Sequence, residues 1–220
     1  MKKVLLTILA GMFMIGSAYA QPSFTVGIGF NKGVFAAEGR EENFDESGTL
    51  KSVTEEYGAF EDSYASIYVE VGNEVGSIGL AYQDDVATPT NVNETNADDG
   101  GSSTATSTVS ADFSGVITLY GLVNLPLNTY LKAGIVQGDI AINETQRSGN
   151  TYKDQDLEGY VLGFGYQHEA AEANIRVELL GHTYDDVETN NGVATTGNHN
   201  KVRISNMIGA NAQISVNRSF

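Results

Sequence analysis

The sequence predicts an all-β fold, an eight-stranded antiparallel up-and-down β-barrel that is transmembrane through its strands. Three observations carry this. Apolar residues alternate with small or polar ones in eight separate segments, helical periodicity is nearly absent, and the links between segments alternate between short and long. The 220 residues include 25 Gly, 11 Tyr and 9 Phe, and a period of two over such residues is what a sheet with two chemically different faces produces.

The first segment stands outside this pattern. Lys2 and Lys3 precede an uncharged, mostly apolar stretch from Val4 to Gly16, and Ala18-Tyr19-Ala20 supplies the small residues of a cleavage site. Residues 1–20 are therefore expected to be a secretory signal peptide, and 21–220 the barrel domain. The apolar stretch is short for a membrane-spanning helix and no polar stop-transfer flank follows it. The chain has no Cys, so an exported domain of this size must be held together without disulfides.

The strands follow in order. Phe24 to Asn31 sets Phe24, Val26, Ile28 and Phe30 against Thr25, Gly27, Gly29 and Asn31. Tyr64 to Gly72 sets Ala65, Ile67, Val69 and Val71 against Ser66, Tyr68 and Glu70. Ser77 to Gln83 turns Ile78, Leu80 and Tyr82 to one side. In Phe113 to Val123 the faces are ambiguous, and placing Ile117 and Leu119 outward turns Ser114 and Thr118 inward. Thr129 to Ile140 sets Leu131, Ala133 and Ile135 against Lys132, Gly134 and Val136. Leu157 to Gln167 sets Tyr160, Leu162, Phe164 and Tyr166 against a Gly-rich face, and Ala173 to Tyr184 sets Ile175, Val177 and Leu179 against Arg176, Glu178 and His182. The last segment alternates from Val202 to Phe220, with Ile204, Ile208, Ile214 and Val216 on the apolar face, and is too long for an ordinary globular strand.

The connections decide the architecture. Asn73 to Val75, Asn124 to Asn128 and Glu169 to Glu172 are hairpin-sized, whereas Ala37 to Asp62, Asp84 to Asp112, Asn143 to Asp156 and Asp185 to Asn200 read as long polar loops. Eight strands with both termini on the short-turn side require three short turns and four long loops, which is the number found. A soluble β-sandwich is the rival fold, but its inner faces bury apolar residues and would not carry Lys132, Arg176, Glu178 and Gln167.

The alternating last strand ending in Phe220 resembles the C-terminal signature of Gram-negative outer-membrane β-barrels, with Phe220, Val216 and Ile214 matching and Arg218 departing from it. The segment from Asn124 to Gly134 also resembles the turn and fifth strand of eight-stranded OmpA/OmpX-type barrels. The resemblance implies residence in the outer membrane of a Gram-negative bacterium and recognition of the terminal strand by the barrel-assembly machinery. It also implies contact with outer-membrane lipid and lipopolysaccharide, and a barrel without a peptidoglycan-binding domain.

Charge narrows the function. The precursor carries 28 acidic and 12 basic residues, and removal of Lys2 and Lys3 would take the net charge from −16 to −18, which argues against nucleic acid as a partner. Glu70, Lys132, Arg176 and Glu178 are expected inside the barrel near the short-turn end, as a neutral lumen charge network or a narrow ion path. His168, His182 and His199 have no Ser at a matching spacing and no evident orienting partner, so no enzyme is expected. Asp154 to Gly159 begins like a calcium loop, but Gly165 stands where the bidentate Glu is required. The pairs Asp98-Asp99 and Asp185-Asp186 suggest at most weak divalent binding at the loops, and no cofactor is expected. The expected role is that of a monomeric, non-catalytic barrel acting through long acidic surface loops. A small diffusion porin and an adhesion or ligand-binding surface protein are the alternatives.

Overall fold

The computed structural model describes residues 22–45, 47–87, 91–94, 106–145, 152–170, 172–192 and 199–220. The expected signal peptide and the pair Asp98-Asp99 lie outside these residues. Eight strands form the ring: β1 (Ser23–Phe44), β2 (Leu50–Gly72), β3 (Gly76–Gln83), β4 (Thr106–Leu125), β5 (Thr129–Thr145), β6 (Gln155–Glu169), β7 (Asn174–Tyr184) and β8 (His199–Ser219). Each pairs antiparallel with the next, and β8 closes on β1. Short pieces prolong two of them, Val86–Ala87 and Asn91–Glu94 running on from β3 against β4, and Val187–Asn190 running on from β7 against β8.

Strand inclination follows from register. Paired residues lead from Thr25 through Glu70, Gly79, Tyr120, Gly134, Val161, His182 and Gly209 back to β1 at Phe35, ten residues above the start. A stagger of that size on eight strands corresponds to a tilt of about 40°, and to an interior that side chains fill. The ring is sealed at its base by two bonds between Phe24 and Phe220, from each N–H to the other's carbonyl.

The outward face is an apolar belt. Val26, Ile28, Phe30, Ile67, Val69, Leu80, Ile117, Leu131, Leu162, Phe164, Val177, Leu179, Ile214 and Val216 are all exposed on it. On a protein surrounded by water such a continuous surface would be an aggregation liability; on a closed barrel it is the lipid face. Lys32, Glu61, Asp84, Gln137 and Glu158 stand above it on the same side and mark its upper rim. Tyr82 and Tyr160 lie just below that rim, where amphipathic rings favour the headgroup region.

Three differences from the sequence reading have physical causes. The acidic segment from Ala37 to Asp62 is not a loop: β1 and β2 continue as one hairpin, paired from Glu38↔Tyr57 to Phe44↔Leu50. Its alternation is hidden because above the lipid both faces meet water, so neither face is held to apolar residues. Part of Asp185–Asn200 is likewise strand, Val187–Asn190, held by β8. The apolar face of β8 does not keep one direction. A bulge opposite Ala36 and Glu38, with Asn206 in the left-handed region at φ 53°, shifts the parity. Below it Ile208, Ile214 and Val216 face lipid; above it Ile204 packs inward with Val187.

Candidate functional site

The interior is layered, and the lower layer is charged. Glu70 on β2, Lys132 on β5, and Arg176 and Glu178 on β7 are all at least nine-tenths buried and meet inside the ring. Arg176 clamps Glu70 with two bonds, Nη1 to Oε1 at 2.6 Å and Nη2 to Oε2 at 2.9 Å, and its Nε donates to Gln167 at 2.7 Å. Lys132 Nζ donates to Glu178 Oε2 at 3.0 Å. Each carboxylate thus has its own cation, and the fork of Arg176 suits a bidentate partner that a lysine would not.

Three tyrosines complete the layer. Tyr120 and Tyr130 donate their hydroxyls to Glu70 at 2.9 Å and to Glu178 at 2.7 Å, while Tyr68 exchanges a bond with Ser215 at 3.1 Å. Their rings also face the cations: Lys132 Nζ lies 4.2 Å from the Tyr120 centroid, and Arg176 lies 5.5 Å from that of Tyr130. They lie flat because each crosses a glycine on the neighbouring strand. A Cβ added at Gly27, Gly79 or Gly165 would run into the ring of Tyr68, Tyr120 or Tyr130. Sequence reading named the four charges and set Tyr68 on the inward face, but gave none of these tyrosines a role. Their signal, an inward Tyr paired with an inward Gly, becomes visible only when the register Gly27↔Tyr68, Gly79↔Tyr120 and Tyr130↔Gly165 is known.

Above the charges runs a directed amide chain. Asn31 Nδ2 donates to the Tyr64 carbonyl and to Ser66 Oγ, Asn211 Nδ2 donates to Asn31 Oδ1, and Asn211 Oδ1 meets His182 Nε2 at 2.6 Å. The Tyr64 carbonyl only accepts, so it orients Asn31, which orients Asn211, which leaves His182 Nε2 as the donor. His182 Nδ1 is then a buried nitrogen without a hydrogen-bond partner among the described residues.

The upper layer is apolar. Val116, Val136, Ile140, Leu157, Val161, Leu180, Val187 and Met207 are buried together inside the ring, with Phe113, Tyr184 and Ile204 against them. A cavity of about 40 Å³ remains there, lined by Phe35, Phe60, Phe113, Val116, Leu157 and Met207 among others. At the short-turn mouth a polar vestibule of about 350 Å³ runs in past Asn73, Asn124 and Glu169 and ends on Glu70 and Arg176.

The remaining sequence candidates are dispersed. Ile214 and Val216 stand on the lipid face of β8, and the Phe220 ring lies 5.4 Å from the Arg218 guanidinium at the short-turn end. His168 is exposed on β6 at that end, His182 is interior, and His199 lies against Phe44 at the far end. Asp186 is engaged by Arg203, which holds its carboxyl below the usual range. Among the described residues no group of three or more His, Cys, Asp or Glu could hold a metal ion.

Comparison with known proteins gives the fold its setting. No protein-family model matches the sequence, and no curated protein sequence matches it. Among solved structures, the outer-membrane protein OprG from Pseudomonas aeruginosa is similar with a TM-score of 0.55, at 11% identity over 92% of this chain and 97% of that one. The outer-membrane protease OmpT from Escherichia coli aligns at a TM-score of 0.41 and 7% identity over 89% of this chain and 97% of that one. Ail, the attachment invasion locus protein of Yersinia pestis, aligns at 0.33 and 9% over 84% and 98%. The fold is that of an outer-membrane β-barrel. At such identities the likeness is one of fold, and the shape match to OprG is the one that carries it.

Proposed function

We propose that this protein is a non-conducting outer-membrane anchor that displays a tall acidic β-surface outside the cell. The observation that carries the reading is the doubly filled lumen. Paired charges and tyrosines occupy its lower half, and an apolar cluster occupies its upper half. A solute would have to break a buried ion pair and then cross a dry layer, each costing several kcal/mol. Residues 1–20 direct export and are removed, and the strand ending in Phe220 is presented to the assembly machinery, as the resemblance to OmpA/OmpX-type barrels implies. The barrel is monomeric and works without catalysis. Its short turns face the periplasm, and the β1–β2 hairpin rises above lipopolysaccharide.

The test is conductance of the purified barrel in planar bilayers, where silence or rare flicker is expected. A steady, reproducible single-channel step would overturn the reading in favour of a small porin. The polar vestibule ending on Arg176 is the observation that favours that alternative.

A further inference from the structure

Among the described residues, the wall of the barrel is incomplete above the lipid. β1 is flanked on both sides to its end, by β2 as far as Phe44↔Leu50 and by β8 as far as Phe44↔His199. β2 is not. Its pairing with β3 stops at Ser66↔Gln83, and the last bond across the seam runs from the Asp84 N–H to the Ala65 carbonyl. From Tyr64 to Leu50, among the described residues, β2 is bonded to β1 alone. Because the Ala65 carbonyl faces the seam, alternation turns the N–H and C=O groups of Ser63, Glu61, Ala59, Tyr57, Glu55 and Val53 the same way. A row of unpaired backbone groups is a template for another strand.

Natural edges are blunted by proline, by bulges, by covering segments or by charged side chains, lysine above all. Between Leu50 and Tyr64 there is no proline, Lys51 is the one basic residue, and the register with β1 has no shift below Asn43. The outward side chains along the edge instead mix carboxylates with apolar groups on one face. Glu55 and Glu61 flank Tyr57, which is 81% exposed, and Val53 is exposed as well. Across the seam stand Asp84 and Asp85. Residues 37–62 carry nine carboxylates against Arg40 and Lys51, and those two already meet Glu55 and Asp45.

We infer that the edge of β2 binds an extended polypeptide segment of basic, alternating sequence by adding it as a strand. Glu55, Tyr57 and Glu61 share the outward face of β2, so lysine or arginine side chains on the same face of the segment lie beside them, and its apolar side chains emerge on the opposite face, beside Gly58 and Phe60. Charge selects this occupant. A second copy of the chain brings the same negative excess to its own edge, and residues 95–105 of this chain contain Asp98 and Asp99 and no base. The inference rests on the surface-display reading and names the partner class that the displayed hairpin takes.

The experiment uses the full barrel in lipid nanodiscs, with a synthetic octapeptide alternating Lys and Val as the probe and its Glu–Val counterpart as control. Binding is read by fluorescence anisotropy and by amide hydrogen exchange. The Lys–Val peptide is expected to bind at least tenfold more tightly than the Glu–Val one and to slow exchange at Glu55, Tyr57, Ala59, Glu61 and Ser63. Ala59→Pro removes one seam-facing N–H without touching a bond to β1 and should weaken binding about tenfold. Glu55→Lys with Glu61→Lys, both on exposed positions, should invert the peptide preference. Binding that survives Ala59→Pro and protects no seam amide would mean charge attraction alone and would overturn the inference. Protection of the same amides without peptide, whether in monomer or dimer, would show the edge already covered and would overturn it as well. A conductance-silent barrel with an unresponsive edge would sink this inference while leaving the display reading intact.

Discussion

Two arginine–glutamate contacts of the same length sit in opposite environments. Inside the barrel Arg176 meets Glu70 at 2.6 Å with side chains 10% and 3% exposed; on the hairpin Arg40 meets Glu55 at 2.6 Å with side chains 39% and 47% exposed. Distance is equal, so burial decides what each is worth. In the lumen both charges have left water, and each depends on the other and on Gln167, Tyr120 and Ser77 for its remaining bonds. On the hairpin water and salt solvate either partner when the contact opens. The first pair is a commitment of the fold, while the second leaves its carboxylates open to exchange partners.

Breaking the lumen pair gives the largest expected effect. Arg176→Ala leaves the Glu70 carboxylate buried with only hydroxyl donors, and should cost about 3–5 kcal/mol in lipid-refolding titrations. Arg176→Leu combined with Glu70→Leu should be milder than the worse single change, because neither charge is then stranded. The same cycle with Glu178 in place of Glu70 should couple more weakly, since Glu178 is bonded to Lys132 and Tyr130. Strict additivity in both cycles would mean a solvated lumen and would remove the contrast with Arg40.

How much of this the sequence disclosed depends on how each layer is written. The belt was legible because lipid outside and side chains inside impose a period of two: Ile28, Leu162 and Ile214 alternate with Gly29, Gly163 and Ser215. The charge layer was legible because Glu70, Lys132, Arg176 and Glu178 stand out on strands whose other face is apolar. Which cation takes which carboxylate was not, since that needs the stagger of the ring. The upper apolar layer was legible only strand by strand. Val136 and Val161 fall on the inward side of the alternation, but nothing in the sequence shows that they meet Val116, Leu157 and Leu180 in one cluster. The β1–β2 hairpin was hidden, because both of its faces tolerate charge.

A charge placed on the lipid face tests the same burial rule from outside the barrel. Ile214 is 54% exposed to the bilayer side, and Ile214→Arg should cost about 2–4 kcal/mol near the midplane. Ser63→Arg, outward beside Lys32 at the upper rim, should cost at most about 1 kcal/mol, because the guanidinium reaches the headgroups. Ser215, on the opposite face of β8, is no neutral site: it is 3% exposed and bonded to Tyr68. Equal penalties at Ile214 and Ser63 would contradict the belt.

The exposed arginine should behave otherwise. Arg40→Ala removes contacts to Glu42 and Glu55, and both carboxylates then hydrate. The loss should stay under about 1 kcal/mol and shrink further in molar salt. An effect as large as that of Arg176→Ala, and insensitive to salt, would show that contact length rather than burial sets the scale.

The smallest effect is confined to the hairpin tip, and its sign is fixed by Asp45. Its Oδ1 accepts the Ser47 hydroxyl and the Ser47 and Thr49 N–H groups, at 2.6, 2.9 and 2.8 Å, and Lys51 lies 3.0 Å from Oδ2. The Ser47 hydroxyl first, then the Thr49 N–H and Lys51, hold this carboxyl well below the ordinary aspartate range. A depressed folded-state pKa means that the turn is supported in full above the unfolded value of about 4, and loses that support as pH falls through the folded one. Amide exchange at Ser47 and Thr49, corrected for its intrinsic pH dependence, should therefore lose protection on acidification below about pH 4. Asp45→Asn should remove that dependence while leaving the barrel's refolding midpoint in place. If acidification instead loosened the Glu70–Arg176 layer first, the exposed end would be the more strongly held of the two, and the ordering by burial would fail.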